Sequence, residues 1–229
     1  MTKRYLFLLI LFLNAQKIHA QSPDAHDILH KSIDEYSKIK DFSAHAEIIV
    51  NVDFINIPDK YATVYYKYPD RYRFKSKGFI MIPKKGLNFS INEVLNQPAA
   101  LVYSGKEDVE GITCDEIKVI PDDPKSEIVL ASVFIEPESY FVKKMEANTR
   151  KSGTYTVLLY YDQQKYALPD SIRINFDVEK LHFPLKFMGN IQVDDQDDNS
   201  VKDGSVTIKY SDYKINYGVN DSVFNEDEK

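Results

Sequence analysis

The sequence predicts an α+β fold that is mainly β: a single curved antiparallel sheet of about eleven strands, with an N-terminal helix and a short lid helix over its concave side. Three observations carry this. One stretch near the start has apolar residues at helical spacing, whereas nearly everything after it alternates with a period of two. The strand-like runs are separated by short Pro, Gly, Asp and Ser turns, which favour antiparallel hairpins. So many strands in one sheet cannot stay flat, so the sheet should curl and its helices should cover the hollow side.

The chain has 229 residues, and the first twenty read as a leader. Met1 to Arg4 is basic, Tyr5 to Leu13 is apolar, and Ile18-His19-Ala20 ends in a small residue before Gln21. That order is the pattern of a secretory signal peptide, so residues 1–20 are expected to be removed and 21–229 to form one domain. The apolar run is too short to span a bilayer. The formal net charge of −6 falls further once the leader's Lys3, Arg4 and Lys17 are gone. This acidity argues against nucleic acid as a partner and limits membrane contact to a transient kind. Cys114 is the one cysteine, which excludes an intramolecular disulfide, and none follows the cleavage site to take a lipid anchor. The expected product is released, soluble and unanchored.

In the mature helix, Ser22 is the expected N-cap and Pro23 the first helical residue. Ile28, Leu29, Ile33, Tyr36 and Ile39 make its apolar stripe, through about Lys40. Ala44 to Phe54 then alternates as one long strand. Tyr61–Tyr68 and Arg71–Lys77 follow as the next two, divided by Pro69-Asp70. Between Gly78 and Pro98 the alternation stops, and Ser90 with Glu93 reads as a capping box opening a short helix. Further strands are expected at Ala100–Ser104, Cys114–Ile120, Ile128–Glu136, Tyr140–Thr149, Thr154–Tyr161, Ser171–Asp177, Leu185–Val193 and Ser205–Tyr213.

Catalytic signatures are missing. No two glycines have dinucleotide-loop spacing, and neither a phosphate loop nor a Gly-x-Ser-x-Gly elbow occurs. Cys114 reads as a small buried residue. His26 and His30 share a helix face without further ligands, and read as solvated. From Asp195 the spacing imitates a calcium loop, but Ser200 and Val206 stand where glycine and glutamate are needed, which leaves a solvated loop. No enzyme activity, cofactor or metal is expected. Arg71, Arg73, Lys75 and Lys77 share a strand face, either as a solvated outer face guarding an edge or as a basic rim for an acidic partner. The 16 Tyr and 13 Phe exceed what so few helices can cover, and an incompletely covered apolar concavity is a ligand site by default.

Four segments, in this order, resemble the LolA-type lipoprotein carriers and their wider superfamily. They are Ile39-Lys40-Asp41-Phe42-Ser43-Ala44; Tyr66 to Phe74 around Tyr68-Pro69-Asp70; Phe134-Ile135-Glu136-Pro137-Glu138-Ser139-Tyr140-Phe141-Val142-Lys143-Lys144; and Tyr210 to Phe224. The resemblance implies an unclosed β-barrel whose apolar cavity takes acyl chains when its cover opens. It further implies a periplasmic carrier for acylated lipoproteins or other lipids, with an inner-membrane donor complex and an outer-membrane acceptor. In the best-known carriers an arginine precedes the turn proline and helps hold the lid; Tyr68 stands there in this chain. The strand faces make Ile48, Val50, Val52, Phe54, Phe74, Phe134, Met145 and Phe176 the expected cavity lining. Phe79, Met81, Ile91, Val94 and Leu95 are the expected lid. An envelope-stress sensor using the same cavity without transport is the alternative.

Overall fold

The computed structural model describes residues 23–52, 55–56, 58–69, 71–76, 94–95, 97–151, 153–162, 165–177 and 203–225. Helix α1 spans Ala25–Ser37. The strands are β1 (Asp41–Val52), β2 (Ile55–Asn56), β3 (Lys60–Lys67), β4 (Arg71–Lys75), β5 (Ala99–Val109), β6 (Ile112–Pro121), β7 (Ile128–Ile135), β8 (Val142–Thr149), β9 (Thr154–Tyr160), β10 (Ser171–Asp177) and β11 (Asp203–Ile215), and a four-residue helix α2 (Ser222–Asn225) ends the described chain. The strands form one antiparallel sheet in the order β4-β3-β1-β11-β10-β9-β8-β7-β6-β5, with β2 paired to β1. Among the described residues the edges β4 and β5 do not pair, so the sheet is unclosed. The leader, the expected strand at Leu185–Val193, the capping box and the calcium-like loop up to residue 202 lie outside the described residues.

Helix α1 begins two residues later than its first turn chemistry predicts. Asp24, in extended conformation, is the N-cap, and its Oδ1 accepts from His26 N at 2.9 Å. A carboxylate is as good an acceptor there as a serine hydroxyl and also suits the dipole. The helix stops at Ser37 rather than near Lys40. Asn216 closes this end: its Oδ1 accepts from Lys40 N at 2.7 Å and its Nδ2 donates to Lys38 O at 2.9 Å. Buried Asp41 finishes the junction by accepting from Tyr217 N and Gly218 N, both at 3.0 Å. A carboxylate that starts a strand is therefore satisfied by the far end of β11.

β5 and β6 are a single long hairpin, where the sequence reads two shorter strands. Glu110 (φ 52) and Gly111 (φ 88) form its two-residue loop, and two successive positive φ values match the twist of the flanking strands. The intervening Lys106-Glu107-Asp108 is charged because β5 is an edge strand facing water.

One face of the sheet holds the core, in two clusters. The first lies under α1: Ala25, Ile28 and Leu29 meet Ile117, Val119, Val133, Ile135, Met145 and Val157. The second gathers Phe42, Ala44, Ala46 and Ile48 of β1 with Val64, Tyr66 and Ile208. Tyr36 and Tyr161 pack against both clusters. Tyr36 also interacts electrostatically with Tyr72 on β4. In a flat sheet β4 and β9 would stand five strand spacings apart, ~24 Å. Meeting around the end of one helix requires the sheet to curl with this face inward.

Candidate functional site

The two halves of the inner face differ in how far they are closed. Under α1 the packing is tight: Met145, Ile117, Val133 and Ile135 are 0% exposed. Around β1, β4 and β11, by contrast, Val50, Phe74, Val206 and Tyr210 are only partly buried.

Tyrosines occupy the border between these halves. Tyr36 and Tyr161 face each other with hydroxyl oxygens 3.1 Å apart. The Tyr66 and Tyr72 rings lie 4.7 Å apart, Phe42 sits 5.3 Å from Tyr66 and 5.5 Å from Tyr213, and Tyr210 is 5.8 Å from Tyr213. A bulge brings Tyr210 and Tyr213 to one face, although strict alternation would oppose residues three apart. The β1–β11 register shifts between Ser43 and His45, and Asp212 takes φ 54 opposite the shift. Ile208 and Tyr210 before it, and Tyr213 and Ile215 after it, then all join the same cluster.

Burial raises the hydroxyl pKa of five of these tyrosines. It pushes Tyr36 up to about 12, against which its hydrogen bond to Tyr161 works. It moves Tyr161, Tyr72, Tyr210 and Tyr213 well upward as well. Yet Tyr36, Tyr161, Tyr210 and Tyr213 are only partly buried, and Tyr72 is 40% exposed. Phenols crowded by protein but still touched by solvent stand at the margin of the apolar inner face rather than inside its sealed core. A hollow with apolar walls and phenols at its border can hold a chain-like apolar ligand and address a polar end.

The expected cavity residues divide accordingly. Ile48 is 5% exposed at the base of the second cluster, with Val50 and Phe74 against it and Val52 partly buried farther along β1. Phe176 packs against the first cluster, and Met145 is sealed inside it. Phe134 is a correction. It points to the other face, between Val133 and Ile135, where it clusters with Val109 and Cys114 under the Lys144 ammonium, 4.5 Å from its ring. The register error is one residue, and it carries the side chain through the sheet. Among the expected lid residues, Val94 and Leu95 are helical and buried in the cluster under α1; Phe79, Met81 and Ile91 lie outside the described residues, as do Phe54 and Lys77.

Arg71, Arg73 and Lys75 share the outer face with Lys67 and Tyr65, opposite Tyr72 and Phe74. Asp221 Oδ1 meets Arg71 Nη1 at 2.6 Å and Lys67 Nζ at 2.9 Å, and Phe224 lies 4.5 Å from the Arg71 guanidinium. Tyr68 is 48% exposed and stacks on the Lys40 ammonium, 5.1 Å away. Cys114 is fully buried, and desolvation pushes its thiol up to about 11, the opposite of what a nucleophile needs. His26 and His30 are exposed, and among the described residues no group of three potential metal ligands comes together.

The sequence reading passed over a buried ion pair. Lys143, 5% exposed, reaches Glu136 Oε2 at 3.2 Å and lies 4.8 Å from the Tyr161 ring. Glu136 also accepts from the Ser139 hydroxyl. Both charged residues stand in the third segment of the resemblance, and Lys143 shares strand parity with Met145, which is the signal that could have placed it inward.

No protein-family model and no curated protein matches this sequence. Solved structures do resemble it. A DUF1329 family protein from Desulfovibrio piger is 10% identical, with 87% of this chain and 96% of that one covered at a TM-score of 0.60. A LolA superfamily protein from Nitrosomonas europaea is 9% identical, with 90% and 99% covered at 0.54. A putative outer membrane lipoprotein-sorting protein domain from Vibrio parahaemolyticus is 14% identical, with 88% and 97% covered at 0.53. An unclosed antiparallel sheet, curled over one helix and matched across nearly the whole of these chains, is a LolA-like fold.

Proposed function

We propose that the protein is a periplasmic carrier that takes acyl chains of lipoproteins or other lipids into the hollow beside α1 and passes them toward the outer membrane. The observation that carries this reading is the set of inner-face residues that are deep yet accessible: Val50, Phe74, Val206 and Tyr210 beside a closed core. Sealed packing would serve stability alone. An open apolar wall costs stability unless something fills it. A sixteen-carbon chain buried there represents roughly 12 kcal/mol gross, ample for tight binding even after the losses of association. Val94 and Leu95, expected in the lid, pack in the sealed cluster under α1 and so stand aside from this open wall.

Native mass spectrometry of the protein isolated from the cell envelope, followed by lipid extraction, tests this. The expected result is an acyl-bearing adduct that disappears in Val50→Glu, a variant whose part-buried position keeps the fold. A clean unliganded mass that takes up neither lipopeptide nor phospholipid would overturn the carrier reading. An adduct that is held but never released to acceptor membranes would instead favour sensing.

A further inference from the structure

The outer face of the β3–β4 ribbon is built as a ladder of cations. The register sets Lys67 opposite Arg71, Tyr65 opposite Arg73 and Thr63 opposite Lys75, and all six stand on the side away from Tyr66 and Phe74. Rungs of this kind repeat every two residues, ~6.8 Å apart. Lys75 Nζ lies 6.0 Å from the Tyr65 ring and so links the second rung to the third. The side chains are partly buried along their stems, which fixes where their charges stand. This row runs against a chain whose formal net charge is −6.

Cations that only guard a sheet edge need nothing seated on them. Here the first rung is occupied. Lys67 and Arg71 face each other as like charges, which repel, and Asp221 Oδ1 joins them, 2.9 Å from Lys67 Nζ and 2.6 Å from Arg71 Nη1. Phe224, three residues on, lays its ring 4.5 Å from the Arg71 guanidinium, and Lys67 also donates to Val219 O at 3.4 Å. The face therefore already receives a peptide that brings a carboxylate and an aromatic ring. That peptide is lightly held, because Ser222–Asn225 has no buried residue and exposed ion pairs are individually weak. On the second rung the ring is built in, as Tyr65 opposite Arg73, so a carboxylate is what a ligand has to bring.

We propose that this ladder docks an extended acidic segment of a partner protein, whose carboxylates at alternate positions meet successive rungs. Alternate side chains of an extended segment share one side at ~6.8 Å spacing, the repeat of the rungs themselves. Several ion pairs in register exceed what the one carboxylate of Asp221 offers, so the partner's segment displaces it from Lys67 and Arg71. A lipid surface would bring negative charge without that spacing. The ladder lies on the opposite face from Val50 and Phe74. The partner can therefore hold the protein without blocking the hollow, and the proposal stands or falls apart from the carrier reading.

The test is fluorescence anisotropy of two dansylated peptides, Glu-Thr repeated four times and Glu-Glu-Thr-Thr repeated twice, which are equal in charge and composition but differ in spacing. They are titrated with the protein isolated from the envelope and with its variants. The wild type is expected to bind the alternating peptide at least about threefold more tightly than the blocked one. Arg73→Glu and Lys75→Glu are each expected to weaken that binding at least about tenfold. Lys75 ends its strand, so its variant reads the effect even if Arg73→Glu fails to fold. Lys118→Glu makes the same charge change on the outer face of β6, beyond the reach of screened charges, and should cost less than about twofold. Asp221→Asn clears the first rung without touching a cation and is expected to tighten binding about threefold. Equal affinity for the two peptides, equal losses in Lys118→Glu and Lys75→Glu, or no binding even by Asp221→Asn would overturn the proposal. So would capture of phosphatidylglycerol vesicles with no peptide bound, which would assign the face to a lipid surface.

Discussion

Lys143 shows what one side chain is asked to do inside this sheet. Its ammonium is almost fully enclosed, with Glu136 on one side and the Tyr161 ring on the other. A buried pair of this kind contributes little net stability, because desolvation offsets most of the attraction. Removing one member is different, since the survivor keeps its desolvation cost and loses its partner. Lys143→Met is therefore expected to lower stability by about 3 kcal/mol in urea unfolding, and adding Glu136→Gln to recover at least half. Additive losses in the double variant would show that the pair is not coupled. The tyrosines nearby make the complementary point. Tyr36 is kept neutral by desolvation and its hydroxyl pairs with that of Tyr161, so the margin of the apolar face is polar without being charged.

Among the elements, α2 is too short to stand alone and none of its residues is buried. It stays in place because Asp221, just before it, gathers Lys67 and Arg71 from the outer faces of β3 and β4, and because Phe224 packs on Arg71. Hydrogen bonds first from Lys67 and then from Arg71 hold the Asp221 carboxyl below its ordinary 3.8. A depressed folded value means that this attachment is complete above the ordinary carboxylate value and is lost as pH falls through the lower one. The group is exposed, so the effect is local rather than global. At neutral pH, Asp221→Asn is expected to lower the hydrogen-exchange protection of the Val223 and Phe224 amides and to leave the melting temperature within about 2 °C. Wild type is expected to approach the variant once pH has fallen well below that ordinary 3.8. Equal protection at neutral pH would mean that Phe224 alone holds the segment. The sheet elements were readable to very different depths. β7, β9 and β10 stand almost where alternation and turn residues put them, because each lies between two paired neighbours. The tip of the β5–β6 hairpin was not readable, because an edge strand carries charges that read as a loop. Nor was the inward turn of Tyr213, because the Asp212 bulge breaks the period on which face assignment depends. Phe134 fell on the wrong face for a related reason: an all-apolar Val133-Phe134-Ile135 run hides which of its residues is inside.

At the scale of the whole molecule, the proposed carrier would place stability and binding at different ends of one sheet. The first cluster is sealed by Ala25, Ile28, Leu29, Val94 and Leu95, and has the character of an ordinary core. The second has a solid base in Ile48, Val64 and Ile208 but a part-open rim. An unclosed sheet permits this division because β4 and β5 need not meet, so one half can be packed by its helix while the other stays open. The consequence is that substitutions at the two ends should separate the two properties. Met145 is 0% exposed, and Met145→Ala leaves a cavity expected to cost about 2–5 kcal/mol in unfolding. That change should leave acyl binding unaltered, because Met145 belongs to the sealed cluster and Val50 packs against the other one. Val50 is part-buried at the open rim, so Val50→Gln should cost less than about 1 kcal/mol in unfolding, since little packing is lost. The same change should weaken binding of every acyl ligand by about tenfold, since it places an amide where the chain must lie. Measured together by urea unfolding and competition binding, the two variants should fall on opposite axes. If Met145→Ala weakened acyl binding as much as Val50→Gln did, the sealed end would also hold ligand, and α1 itself would have to move for the chain to enter.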